Sequence, residues 1–266
     1  MNRIDKLFAR LKKKRRKAFI VYITAGDPDL ATTEKLIVEL EKSGADLVEL
    51  GIPFSDPLAD GLTIQKASQR ALSKGVRIKS ILRMVRSARK KVRFPLVFMT
   101  YYNIVSHYGV GRFVRDSKAA GCDGIIIPDL PPEEGDELIT AARKEGFAAI
   151  FLAAPTSTPE RLRNIASKSR GFIYYVSLTG VTGARKKLPA DITEHVKKLK
   201  GITKKPVCVG FGVSLPQQAR RIARLADGVI VGSAVIKVIE RNIGKRDLYK
   251  KVSLFVGSLA KAVHKK

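Results

Sequence analysis

Two cysteines in 266 residues leave no disulfide framework to build on. Cys122 and Cys208 stand in turn and strand contexts without motif spacing, and read as core or near-core thiols of a reducing cytoplasm. The three histidines, His107, His195 and His264, form no ligand pair at helical spacing, so no metal site is expected. No apolar run approaches the ~18 residues of a membrane span, and no membrane partner is expected. The basic N-terminus leads into a short apolar stretch at 18–23. That stretch runs on into Thr24-Ala25-Gly26-Asp27-Pro28 rather than a small-residue cleavage site, which reads as a first core strand and not a signal peptide. Linkers, internal repeats and low-complexity tracts are also missing, and a single domain over 1–266 is the reading.

Acid is scarce as well. Lysine and arginine number 51 against 24 aspartates and glutamates, a formal net charge of +27. The run Lys12-Lys13-Lys14-Arg15-Arg16-Lys17 suggests nucleic acid. However, the basic residues are spread over every expected helix and no nucleic-acid motif appears, so a solvated cationic surface is the favoured reading. Either way the field draws in anionic substrates.

What the chain does have is alternation. Short β-branched runs at 18–24, 46–51, 95–101, 124–128, 148–153, 171–177, 206–210 and 228–231 are mostly continuous and apolar, as parallel strands buried on both faces require. Helical patterns lie between them near 30–43, 62–73 with 78–91, 109–120, 132–145, 159–168, 189–200 and 214–224, followed by 233–240 and 247–263. Thr158 before Pro159 reads as an N-cap with an N1 proline, and Ser214-Leu215-Pro216-Gln217 has capping-box spacing. An additional amphipathic helix at 2–14 is placed to plug the bottom of a barrel. Eight β/α units in a chain of this length predict a (β/α)8 barrel, an α/β fold with strands over 18–231 and closing helices over 233–263; a doubly wound open sheet is the alternative.

In a barrel, chemistry sits at the C-terminal ends of the strands. Glu49 stands near the end of the second strand, where a buried carboxylate is costly unless paired or put to work. The following loop, restricted by two prolines and a glycine, carries Asp56 and Asp60. Two acids in different surroundings can hold different pKa values, as general acid–base chemistry requires. A Glu capping a neighbouring helix and an Asp in an ordinary turn would leave the same residues in place. Three glycine-bearing turns, Gly180-Val181-Thr182-Gly183, Gly210-Phe211-Gly212 and Gly232-Ser233-Ala234, follow the last three strands, and together they predict a phosphate site built on backbone N–H groups and a helix N-terminus. No expected strand end offers a Schiff-base lysine, no ligands cluster for a metal-dependent aldolase, and no dinucleotide fingerprint follows the first strand. Carboxylate proton transfer on a phosphorylated substrate remains, by an isomerase or a carbon–carbon lyase.

The segments Ile23-Thr24-Ala25-Gly26-Asp27-Pro28, Glu49 through Gly61, Thr63-Ile64-Gln65, Tyr101-Tyr102-Asn103, Ile127-Pro128-Asp129-Leu130-Pro131, Ser177 through Gly183, Gly210-Phe211-Gly212 and Val231-Gly232-Ser233-Ala234 resemble the alpha subunits of tryptophan synthase over nearly the whole chain. The resemblance implies cofactor-free retro-aldol cleavage of indole-3-glycerol phosphate to indole and glyceraldehyde 3-phosphate. It assigns proton shuttling to Glu49, the indole N–H to Asp60, and support of Glu49 to Tyr175. It gives the indole walls to Tyr22, Thr100, Tyr102, Ile127 and Phe211, a lid to Thr182 and Gly183, and the phosphate to Gly183, Gly212, Gly232 and Ser233. It further implies a partner beta subunit that carries pyridoxal phosphate, in an alpha-beta-beta-alpha complex. Contacts are expected from Pro53 through Asp60, from Asn103 and from Asp129 to Pro131, with coupling through Asp56 and the 179–187 loop. Leu62, where a proline usually opens the helix, and Tyr22, in place of a common phenylalanine, are mild departures; the basic charge is a larger one. A partner-independent lyase of the same fold, or a catalytically silent barrel, are the competing readings.

Overall fold

A computed structural model describes residues 1–176, 192–210 and 212–265. Its strands are β1 (Ala18–Thr24), β2 (Leu47–Gly51), β3 (Leu96–Met99), β4 (Gly124–Ile126), β5 (Ala148–Ile150), β6 (Leu152–Ala153), β7 (Ile173–Val176), β8 (Val207–Gly210) and β9 (Gly228–Val231). All pair in parallel, in the order β5-β4-β3-β2-β1-β9-β8-β7-β6. β5 and β6 are one strand interrupted at Phe151, whose carbonyl still accepts from Tyr174 N at 3.2 Å. Its first half pairs with β4 and its second with β7, which carries the ring round. The expected (β/α)8 barrel is therefore the fold, and the open doubly wound sheet is not.

Every residue of β1 and β2 is buried, as continuous apolar runs covered on both faces require. Alternate residues divide between two cores. Ile20, Leu47, Val97, Ile126, Tyr174, Cys208 and Ile230 fill the barrel interior. Phe19, Val21, Val48, Phe98, Ile125, Tyr175 and Val209 pack outward against the helices.

Helix Arg3–Lys13 plugs the N-terminal end of the barrel. Asn2 and Asp5 form a capping box at its start, with bonds of 2.9 and 3.2 Å. Its buried stripe of Ile4, Leu7, Phe8 and Leu11 joins the interior core, with the Phe8 ring 5.7 Å from Phe172. Arg3 anchors it to the fully buried Asp123 at 2.9 Å, and Asp123 also receives Leu96 N and Arg89.

The helices follow the sequence pattern except in three places. Helix Tyr102–Tyr108 was not foreseen; its first N–H is capped by the Asp129 carboxylate at 3.0 and 3.2 Å, from a residue remote in sequence. The helix expected over 132–145 divides at Gly135 into a 3-10 turn, Pro132–Glu134, and helix Asp136–Lys144. At helix Pro216–Leu225 the acceptor for the free N–H groups of Ser214 and Leu215 is Gln218, not Gln217. Among the described residues no helix is long and apolar enough to cross a membrane.

Candidate active site

Glu49 projects from the middle of β2 into the barrel interior, on the same face as Leu47 and in register with Tyr22 of β1. Its side chain is fully buried, and neither carboxyl oxygen has a hydrogen-bond partner among the described residues. Burial alone pushes its pKa up to about 8. The helix-capping role that the sequence also allowed is thereby excluded, since a capping carboxylate would accept from backbone N–H groups. A buried carboxyl with no partner is a cost that packing does not repay.

Asp60 comes from the loop that follows β2. Turns Leu58 N to Asp56 O and Asp60 N to Pro57 O shape that loop, and Ala59 N donates to the Tyr101 hydroxyl at 3.0 Å. Gln65 holds the Asp60 carbonyl at 2.8 Å from helix Leu62–Ser73. Burial raises the Asp60 carboxyl to about 6, against the opposing pull of a hydrogen bond from Tyr101. The buried Tyr22 feels both acids, and its hydroxyl lies 3.4 Å from Thr24 Oγ1. Its phenol fits because Gly51 opposite has no side chain: a Cβ there would run into the Tyr22 ring.

A cavity of about 220 Å³ is bounded among the described residues by Tyr22, Asp60, Met99, Tyr174, Gly212 and Ser233 together with neighbours on β8 and β9; Glu49 is not in its lining, but its charge acts on Tyr22 and Tyr174 of that wall. Tyr22, Asp60, Gly212, Gly232 and Ser233 therefore stand where the sequence placed them. Four expected wall or support residues do not. Tyr175, Thr100 and Ile127 occupy outward-facing positions of their strands or strand ends, and Tyr175 and Ile127 belong to the layer packed against the helices. Their immediate neighbours Tyr174 and Met99 line the cavity, while Ile126 faces the interior core beneath it. Tyr102 opens a helix and packs partly buried against the outer core, whereas Tyr101 reaches Asp60. In each case a shift of one residue moves a side chain to the opposite face of the strand or turn. Tyr174 is the interior tyrosine. Its pKa is raised by burial first and then by the charge of Glu49, and Gly210 leaves room for its ring. Sequence alternation from Phe172 and Cys208, both interior, was the signal that could have found it.

At the far end of the cavity, helix Ser233–Glu240 begins with no side-chain cap, so the leading N–H groups of Ser233 and Ala234 and the helix dipole are offered to the cavity. Gly212 beside it has φ +25. Arg70 fixes this helix in place: it grips the buried Asp27 at 2.7 and 2.9 Å and Glu240 at 2.9 Å. Thr182, Gly183 and Phe211, and with them the 179–187 loop, lie outside the described residues.

Of the expected partner contacts, Asp56, Asn103 and Asp129 are exposed around the cavity mouth, and Pro131 is half-buried. Pro53 is buried within the loop and offers no surface. Leu58, 91% exposed, and Leu62, 74% exposed, add an apolar element to the same rim. Among the described residues no group of three or more His, Cys, Asp or Glu side chains is placed to hold a metal ion.

A family model described as tryptophan synthase alpha chain matches residues 8–264. The tryptophan synthase alpha chain of Geotalea daltonii is 52% identical over 259 residues, covering 97% of this chain and 98% of the relative. That of Caldanaerobacter subterraneus is 49% identical over 259 residues, covering 97% and 98%. The crystal structure of tryptophan synthase subunit alpha from Legionella pneumophila superposes with a TM-score of 0.93 at 41% identity, over 99% of this chain and 98% of that one. A chain of Mycobacterium tuberculosis tryptophan synthase does so with a TM-score of 0.92 at 39% identity, over 100% and 99%.

Proposed function

The chain belongs to the tryptophan synthase alpha chain family, and we propose that Glu49 and Asp60 together carry its reaction, the cleavage of indole-3-glycerol phosphate to indole and glyceraldehyde 3-phosphate. One observation bears most of this weight: Glu49 is fully buried with no partner for either oxygen, in register with Tyr22 and coupled to Tyr174, both of which line the cavity with Asp60. With a pKa of about 8, Glu49 holds a proton at neutral pH and can deliver it to carbon 3 of the indole. Asp60, ionised at the same pH, accepts the indole N–H and stabilises the positive charge that ring protonation creates. The Glu49 carboxylate left behind then takes the proton of the glycerol hydroxyl, the carbon–carbon bond breaks, and the ring takes back the electron pair. The protonated indole is the electron sink, so this route needs no cofactor on the chain.

Tyr22, Met99, Tyr174 and Ile64 bound the region for the ring, and the N-terminus of helix Ser233–Glu240 with Gly212 and Gly232 receives the phosphate. The family implies a beta-subunit partner. Exposed Asp56, Leu58, Leu62, Asn103 and Asp129 at the cavity mouth support docking there, with pyridoxal phosphate on the partner only and an alpha-beta-beta-alpha assembly in the cytoplasm.

Indole release from indole-3-glycerol phosphate, measured with and without a beta subunit, tests the reading. Glu49→Gln and Asp60→Asn are each expected to lower it by at least ~10²-fold, and the beta subunit is expected to raise the parent rate. Near-normal turnover in either variant would overturn the assigned roles. A fast rate that a beta subunit leaves unchanged would instead favour a partner-independent lyase.

A further inference from the structure

A concavity of about 1060 Å³ lies at the opposite end of the barrel from the reaction. It is framed by the C-terminal half of helix Arg3–Lys13, the segment leading into β1, and the approaches to β7, β8 and β9. Eight lysines and arginines line it against two aspartates. Both aspartates are already engaged. Asp227 holds Lys17 at 3.5 Å, Lys200 at 2.9 Å and Val207 N at 3.1 Å. Asp5 caps its own helix and faces Arg170 at 4.0 Å. Lys205 directs its ammonium at the carbonyls of Ala166, Ser167 and Ser169.

Lys12, Arg15, Arg16 and Lys204 then remain without an ion pair among the described residues, gathered in one hollow. The Arg16 Nε atom is buried and makes no hydrogen bond. Leaving such a donor unsatisfied is costly, and an anionic oxygen entering the hollow would satisfy it. Arg15 takes φ +52 as the left-handed residue that ends helix Arg3–Lys13, where Arg16 N donates back to the Leu11 carbonyl at 2.9 Å, and this turn leaves Arg15 and Arg16 lining the hollow. Like charges brought together in a concave surface repel one another and focus the field on a multivalent anion. Among the described residues that line the hollow, the one ring is Phe8, which is buried against Phe172 and offers a base little to stack on.

We propose that this hollow binds a chain of phosphates, as found in linear polyphosphate or in the tail of a nucleoside triphosphate. The phosphates bridge Lys12, Arg15, Arg16 and Lys204, and a nucleoside, where there is one, stays outside. The site is separate from the phosphate position beside Ser233, which takes a single group at the other end of the strands.

Calorimetric titration of the full chain with tripolyphosphate, ATP and a single-stranded RNA oligomer tests this. Tripolyphosphate is expected to bind saturably at one site. Lys12→Gln with Arg16→Gln should weaken it by ~10-fold or more while indole release is unchanged. Arg15→Gly, which relieves the backbone conformation while removing a charge, should weaken it in the same direction without loss of thermal stability. The control pair Lys79→Gln with Arg86→Gln, on helix Ile78–Arg89, should change it by less than ~2-fold. Equal affinities for tripolyphosphate and ATP identify the bare phosphate chain as sufficient; tighter ATP binding identifies the nucleotide as the source. Equal loss in the hollow and control variants, competition by glycerol phosphate, or RNA binding with no tripolyphosphate binding would each overturn the proposal.

Discussion

At pH 7 a carboxyl with a pKa of about 8 is mostly protonated and one of about 6 is mostly ionised, and the proposed reaction needs Glu49 and Asp60 in those states. The kcat/KM for indole release should therefore rise with pH through about 6, as Asp60 ionises, and fall through about 8, as Glu49 loses its proton. In Asp60→Asn the residual activity should keep the alkaline limb and lose the acidic one. Stability carries a second signature of Glu49. Its folded pKa stands above the ordinary 4.5, so the folded chain binds the extra proton and stability falls as pH rises from about 4.5 through about 8. Glu49→Gln removes that loss and should be more stable than the parent above pH ~8, on the order of a few kcal/mol, with the two converging near pH ~4. Urea unfolding across that range checks the difference, and a constant offset would refute it.

Elements explain what the sequence could and could not reveal. The eight strands were legible because parallel strands buried on both faces read as continuous apolar runs, and their helices because one face repeats every three to four residues. That same continuity hides which face of a strand a residue occupies. Tyr174 and Tyr175 look alike in sequence, yet one lines the cavity and the other packs under the helices. Tyr174→Phe should lower kcat/KM by ~10-fold or more. Tyr175→Phe should leave it within ~2-fold and cost on the order of 1 kcal/mol of stability. The pairing of Tyr101 with Asp60 and the cap of Asp129 on Tyr102 escaped notice because the partners come from different β/α units. Arg70 was equally invisible. It ties the β1 loop, helix Leu62–Ser73 and the end of helix Ser233–Glu240 together. Arg70→Met leaves Asp27 buried without its counter-charge and should cost ~3 kcal/mol. Because the helix proposed to receive phosphate loosens with it, KM should rise more than kcat falls, as steady-state kinetics would show.

Over the whole molecule, charge and chemistry divide between two ends. Acids and glycines meet at the C-terminal ends of the strands, where the single-domain barrel read from the sequence concentrates reactive groups. Basic residues gather at the other end, where only a run of like charge was legible in the sequence, with no hint that a hollow would receive it. The surface at large stays cationic, so anionic substrates approach either end down a favourable potential that salt should weaken.

The plug formed by residues 3–13 has a consequence for biogenesis. Its seat includes Asp123, Ala148 and Phe172, so this helix, synthesised well before them, has nowhere to settle until those residues have followed. At ~5–20 residues per second that delay lasts roughly ten to thirty seconds, during which a greasy stripe of isoleucine, leucine and phenylalanine is open to chaperones.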